Sequence, residues 1–220
     1  MKTNDRQLTE LMKAVDSGAV QLPDFQRGWV WDDGRIRALI LSVVHNFPVG
    51  AAMFLEYGNE SIHFKHKSIE GAPARPDTEP DELILDGQQR LTSLYNALYS
   101  RKPVRTRTDK GKEIDRFYYL DIEKALDPKA DDDEVVISVP LNRQITSDFG
   151  RKVEIDLSTR DHEFELKMFP LNIILNTSEE QNWQNCYYEY HRYNDNVIKQ
   201  FTKLFTEVIN PTQQYQMPVI

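Results

Sequence analysis

The run Leu83-Ile84-Leu85-Asp86-Gly87-Gln88-Gln89-Arg90-Leu91-Thr92-Ser93 sets a carboxylate, an amide pair and a guanidinium side by side. The first turn of a helix exposes unpaired backbone N–H groups and a partial positive charge, which suits a phosphate. Arg90 sharpens that reading. A cation in a first turn opposes the helix dipole by about 0.3–1 kcal/mol unless an anion absorbs it. A plainer account is a capping box, with Asp86 as N-cap, Gln89 reaching back to it and Gly87 serving the turn. That account covers Asp86 and Gln89 and leaves Gln88 and Arg90 unexplained. The flanking residues say what must hold these groups. Leu83 to Leu85 make a short buried strand, Asp86-Gly87 breaks it, and Leu91, Leu94, Tyr95 and Leu98 recur at helical spacing.

Two other clusters carry potential chemistry. Arg101, Lys102, Arg105, Arg107, Lys110 and Lys112 form the one local basic patch. Alternation along a strand puts Arg105 and Arg107 on one face, either to meet phosphate or nucleic acid or as an ordinary solvated face. Glu165-Leu166-Lys167, with Asp156 or Asp161 upstream, has the acidic-x-Lys form that metal-dependent nucleases use. An exposed alternating strand would produce the same pattern. The histidines have no metal-ligand spacing beyond His63 and His66, which a strand would point to opposite faces. The sequence has no phosphate loop of the G-x-x-x-x-G-K-[ST] type, no nucleophile elbow and no zinc-protease or deaminase motif.

The 220 residues suffice for one large domain with a real core. A net charge of −8 gives no global basic footprint for nucleic acid. The lone Cys186 excludes a disulfide framework and multi-cysteine zinc sites. With no signal-like or membrane-length apolar run, a cytoplasmic protein is expected. Leu8, Leu11, Met12 and Val15 predict a first helix capped by Asn4 or Asp5, and Asp32 caps a second that presents Ile36, Leu39, Ile40, Val43, Val44 and Phe47. Ala52–Tyr57 reads as a buried strand and Ser61–Ile69 as an edge strand. Val104–Thr108 and Ile114–Ile122 read as a hairpin, and Trp29 and Trp31 as core anchors rather than groups that grip a base. Val135–Val139, Val153–Leu157 and Phe164–Met168 are short strands. Helices follow, one opened by Ser178 with Gln181 and one carrying Ile198, Phe201, Leu204, Phe205 and Val208 up to Pro211. The apolar run at Tyr215–Ile220 has the character of a strand without a partner, so the chain is expected to be a fragment of a longer protein.

Two stretches together resemble a known family. Leu22-Pro23-Asp24-Phe25-Gln26-Arg27-Gly28-Trp29-Val30-Trp31, with Arg35-Ile36 and Phe47-Pro48-Val49-Gly50 after it, resembles the opening of the N-terminal domain of GmrSD-type restriction enzymes. Leu85-Asp86-Gly87-Gln88-Gln89-Arg90-Leu91-Thr92-Ser93 is similar to that family's signature. The resemblance implies an α/β (α+β) fold, a ParB/sulfiredoxin-like mixed sheet with flanking helices. We divide the chain into a core over about 1–175 and a C-terminal helical extension over about 176–220. It also implies a nucleotide site of Gln26, Arg27, Asp86, Gly87, Gln88, Gln89 and Arg90, taking an NTP with Mg2+. In that site Arg90 and Arg27 would pair with phosphate oxygens. Asp86 would hold the metal or orient water, and Gln88 or Gln89 would position the attacking water. The implied function is an NTP-binding, NTP-hydrolysing regulatory domain whose partner, an HNH-type nuclease domain, lies outside this chain. Sulfiredoxin chemistry needs a cysteine at the phosphate loop, and Cys186 is far from it. The alternative is a DNA-binding or protein-interaction module, with Arg105 and Arg107 on nucleic acid.

Overall fold

The computed structural model describes residues 4–58 and 64–220. Its strands are β1 (Asn4–Gln7), β2 (Val20–Pro23), β3 (Met53–Glu56), β4 (His66–Lys67), β5 (Glu82–Asp86) and β6 (Val104–Arg107). They continue with β7 (Glu113–Asp121), β8 (Val136–Pro140), β9 (Gln144–Ser147), β10 (Lys152–Asp156), β11 (Met168–Pro170) and β12 (Gln216–Val219). The helices are α1 (Leu8–Ser17), α2 (Asp33–Val44), α3 (Gln88–Leu94), α4 (Ile122–Ala125), α5 (Asp132–Val135), α6 (Arg160–Glu165), α7 (Thr177–Tyr190), α8 (Asp195–Leu204) and α9 (Asn210–Gln213). The fold is mixed α+β.

A four-stranded sheet of order β3-β5-β2-β4 carries the signature. Its inner pair, β2 and β5, is parallel, with Val20 opposite Glu82 and Gln21 opposite Leu83. Parallel neighbours require a long crossover, which α2, β3 and β4 supply. Helix α3 leaves the end of β5 and runs on into a π turn, Tyr95–Tyr99. Every residue from Leu91 to Leu98 is buried. A helix covered on all sides belongs to the centre of a molecule. Its polar residues therefore need internal partners: Ser93 Oγ donates to Gln89 O at 2.7 Å, and Asn96 Nδ2 to Glu70 O and Thr92 O, both at 2.8 Å.

The second sheet is built on the long β7. Arg116 faces Val104 of β6 and Pro140 of β8, whereas Leu120 faces Val136 of β8 and Phe169 of β11. A strand has two edges, so β8 lines one and β6 and β11 share the other. One hydrophobic cluster runs from α1, α2 and α3 through to Trp183, Tyr187 and Phe201 of α7 and α8. Trp183 and Tyr187 stack at 5.0 Å, and Trp183 meets Phe164 and Phe169 edge-on at 5.1 Å each.

Several expectations are corrected. Asn4 and Asp5 do not cap α1; they lie in β1, paired with Val219 and Pro218 of β12. The apolar C-terminal strand, expected to want a partner, has one on each side. Across from β1, Ile220 N donates to Ala52 O and Phe54 N to Ile220 O, each at 2.9 Å. Strand β3 is half-buried to exposed rather than buried, because it edges its sheet. Of the Ser61–Ile69 strand, β4 is present, while residues 61–63 lie outside the described residues. Phe164 and Glu165 end a helix capped by Thr159, and the chain turns at Lys167, φ 53°, before β11 begins. Asn176 rather than Ser178 caps α7. Pro211 does not end the last helix. The π turn Phe205–Ile209 precedes it, and Pro211 then sits in the first turn of α9, where a missing N–H costs least. The hairpin of β6 with β7 and the Asp32 cap, which accepts Arg35 N at 2.9 Å, fall where the sequence places them.

Candidate phosphate site

Gly87 joins β5 to α3 in the left-handed region, φ 86° and ψ 1°. A Cβ there would stand 3.1 Å from Ala52 Cβ, so the turn calls for glycine on both backbone and packing grounds. Gly87, not Asp86, is the N-cap, and no side chain caps the helix. The capping box is therefore absent. Gln89 turns the other way: its Nε2 donates to Gly28 O at 3.1 Å and its Oε1 accepts Val30 N at 2.9 Å. Gln88 Nε2 donates to Arg27 O at 2.5 Å. Gln26 reaches back, its Nε2 donating to Leu85 O at 2.9 Å.

These bonds bring together two motifs some sixty residues apart. The loop Gln26–Trp31 lies along the first turn of α3, stitched to it by three amide side chains. Trp29 extends the seam, its indole N–H donating to Ser93 Oγ at 3.0 Å. Gln88 and Gln89 are buried by this arrangement, while Arg27 and the Asp86 side chain, 76 % exposed, remain at the surface.

Arg90 is the best-partnered member. It donates to Val49 O and, at 2.8 Å, to Ala51 O, and lies 3.7 Å from the Asp86 carboxylate. The anion anticipated for this guanidinium is thus supplied in part by Asp86, while two neutral carbonyl oxygens take up its N–H donors. Gly50, between those carbonyls, has φ 85°, and a Cβ on it would come within 2.3 Å of Arg90 Nη1. The loop is held from below by Tyr215, whose hydroxyl donates to Phe47 O at 2.8 Å and accepts Val49 N at 3.2 Å. Burial pushes the Tyr215 phenol up, so it stays a neutral donor across the ordinary pH range. Arg90 also borders a cavity of about 450 Å3 shared with Trp31, Arg35, Ser42 and Val49. Arg35, which the sequence marks only as part of the motif that follows Trp31, joins the site through the fold.

The other candidate clusters fare differently. Arg105 and Arg107 do share one face of β6, Arg105 bound to Glu113 at 2.9 Å, and both line a separate cavity with Trp29 and Trp31. The two indoles are half-buried and pack on the core as anchors, yet also wall that cavity. Glu70 and Asn96 belong to the same lining and carry no sequence signal of their own. The nuclease-like pattern does not assemble. Glu165 ends a helix, Lys167 pairs with Glu123, and Asp156 accepts Ser158 N at 2.9 Å and Gln144 Nε2 at 3.0 Å. Among the described residues no group of three or more metal-ligating side chains gathers, and no helix is long and apolar enough to cross a membrane.

An α+β domain whose buried helix is laced to an upstream Gln-Arg loop by its own signature side chains defines a recognisable class. Residues 8–220 match the family described as the GmrSD restriction endonuclease N-terminal domain, and the chain belongs to that family. An uncharacterized protein of Methanocaldococcus jannaschii is 31 % identical over 178 residues, covering 79 % of this chain and 29 % of its own length. The chain thus spans under a third of that relative.

Proposed function

We propose that this domain binds an NTP, with its phosphates at the Asp86–Arg90 turn, and hydrolyses it to regulate a DNA-restriction or phage-defence protein. The observation that carries the reading is the meeting of Gln26-Arg27 with Asp86–Arg90 across the start of α3. Arg27 is exposed beside a helix start whose N-cap uses no side chain, which leaves first-turn N–H groups for an anion. Arg27 would meet phosphate oxygens directly, and Arg90, with Arg35 across its cavity, would add a positive field from the partly buried side.

The donors fit one kind of metal. Asp86 is a single exposed carboxylate, and Mg2+ is commonly held by one or two carboxylates together with substrate phosphates. Asp86 would hold an Mg2+ that arrives with the nucleotide, where the ion would neutralise phosphate charge. Gln89 has both ends of its amide engaged, so its part in hydrolysis is to fix the Arg27 loop. Gln88, tied through Nε2, keeps its oxygen to orient a water. An HNH-type nuclease domain in the whole protein would be the regulated partner.

Isothermal titration of NTPs with Mg2+ against wild type, Asp86→Ala and Arg27→Ala tests the site. Binding by wild type and at least tenfold weaker binding by Arg27→Ala are expected. No binding by wild type, or unaltered binding by both variants, would remove the assignment.

A further inference from the structure

A second cavity, of about 560 Å3, opens beside the far half of the buried helix and under the β6–β7 hairpin. That volume falls within the ~300–1,000 Å3 typical of small-molecule sites. Its walls include Trp29, Trp31 and Asn96, with Lys102, Arg105 and Arg107 among its lining.

The walls are fixed in place. Trp29 is tied through its indole N–H to Ser93 Oγ at 3.0 Å and through its backbone N–H to Glu70 Oε2 at 3.0 Å. Thr106 Oγ1 donates to Trp31 O at 2.7 Å, joining the second indole's backbone to the hairpin. Asn96 is 7 % exposed and spends its Nδ2 on Glu70 O and Thr92 O. Its Oδ1 accepts no hydrogen bond among the described residues. That oxygen sits where a Cβ on Gly71 would lie 1.9 Å away, and Gly71 also lines the cavity. An acceptor is thus held ready in a lining that also includes Trp29, Trp31 and Glu70, the last with Oε2 already accepting Trp29 N.

The rim has the opposite sign. Arg105 is spent on Glu113 at 2.9 Å, whereas Lys102 and Arg107 form no ion pair among the described residues. Indoles that offer stacking area, next to unpaired cations, are the usual pairing for a base with its phosphate. Two acceptors in one lining, Asn96 Oδ1 and the Glu70 carboxylate, match an exocyclic amino group. Thymine or uracil offers only one N3–H, flanked by two carbonyls that would crowd the Glu70 carboxylate, so it fits two acceptors less well.

We propose that this cavity binds an amino-bearing nucleobase whose attached phosphate meets Lys102 and Arg107. The site is separate from the Asp86–Arg90 turn: Gln88 and Asn96 are eight residues apart on one helix, roughly 12 Å at 1.5 Å per residue. The proposal does not depend on phosphate binding at that turn. The base arrives either on a free nucleotide or within a single strand.

Tryptophan fluorescence reads the site, since Trp29 and Trp31 line it while the third tryptophan, Trp183, is only 1 % exposed. Titrations with dAMP, dTMP, ribose 5-phosphate and an oligo(dA) octamer would be run at low salt on wild type and Lys102→Ala/Arg107→Ala. Saturable quenching by dAMP or the octamer is expected, at least tenfold weaker for dTMP and for the double variant. Quenching by the octamer alone assigns a strand; equal affinity for dAMP assigns a free nucleotide. No quenching by any ligand, dTMP binding as tightly as dAMP, or an unaffected double variant would overturn the proposal. Binding lost in Asp86→Ala but kept in the double variant would place the ligand at the helix turn instead. In that outcome this proposal falls while the proposed function stands.

Discussion

Arg90 carries two duties that pull against each other in any experiment. It donates to Val49 O and Ala51 O, so removing it leaves half-buried carbonyls without a donor before any ligand is considered. Hydrogen bonds from charged groups contribute about 1.5–3 kcal/mol each and water replaces part of that at a half-exposed site, so Arg90→Ala should destabilise by about 2 kcal/mol. A urea denaturation midpoint would show it, and Arg90→Lys should recover only part, since an ammonium cannot fork between two carbonyls. A midpoint equal to wild type would mean the loop is held by Tyr215 alone. For this reason Arg27 and Asp86, both exposed, are the cleaner probes of ligand binding. The sequence marked Arg90 as an anomaly in a first turn, correctly. Its partners were not legible, because two glycine-flanked carbonyls forty residues upstream reach it only through the sheet.

Among the elements, the signature helix owes its position to what surrounds it more than to its own propensity. Asn96 can bridge Glu70 O and Thr92 O only because the chain at Gly71 lacks a side chain, with φ 91° there. Gly71→Ala should therefore displace Asn96 and the loop over residues 71–80, lowering the thermal midpoint and increasing amide exchange around Glu70 and Thr92; unchanged exchange would contradict that role. Helix α2 offers a simpler case. Asp32 caps it through Arg35 N, so Asp32→Ala should cost about 1 kcal/mol by chemical denaturation. That cap was readable from local sequence, as were the α2 stripe as far as Val44 and the β6–β7 hairpin, because each depends on neighbours within a few residues; Phe47, expected on the stripe, lies past the helix end and is exposed. The strand expected at Phe164–Met168 was not. Phe164 there is held by Trp183 and Tyr187, aromatic contacts from a later helix that outweigh local alternation.

At the scale of the whole molecule, α7 carries a cost that depends on pH. Glu180 is fully buried and neither carboxylate oxygen has a partner among the described residues. Burial pushes its carboxyl up to about 7. The folded state thus keeps a proton that the unfolded chain releases near the usual carboxylate range, so stability falls as pH rises from roughly 4.5 to 7. At about 1.4 kcal/mol per unit the full loss is up to about 3.5 kcal/mol. Glu180→Gln should remove most of that slope and raise the denaturation midpoint at pH 8 more than at pH 5. Glu163, also raised by burial, would leave a residual slope of the same sign. Equal midpoint changes at the two pH values would show that Glu180 reaches water.

The Asp86–Arg90 turn shows where the division falls. Local sequence determined the strand, the glycine break, the helix after it and the presence of polar groups that a plain helix start does not need. Those follow from periodicity and backbone sterics, which act over a few residues, whereas the one-faced amphipathic pattern gave way to a helix buried all round. Only the tertiary structure decided what the groups touch: Gln88 and Gln89 turn to the Gln26–Trp31 loop, Arg90 to the Val49–Ala51 loop, and Asp86 to the surface. The β2–β5 pairing brings the first of these loops to the helix start, and the β12 pairing with β1 and Ala52 ties down the second. Such contacts join residues forty to two hundred positions apart, and their geometry is set by which buried faces pack together rather than by any spacing within one segment.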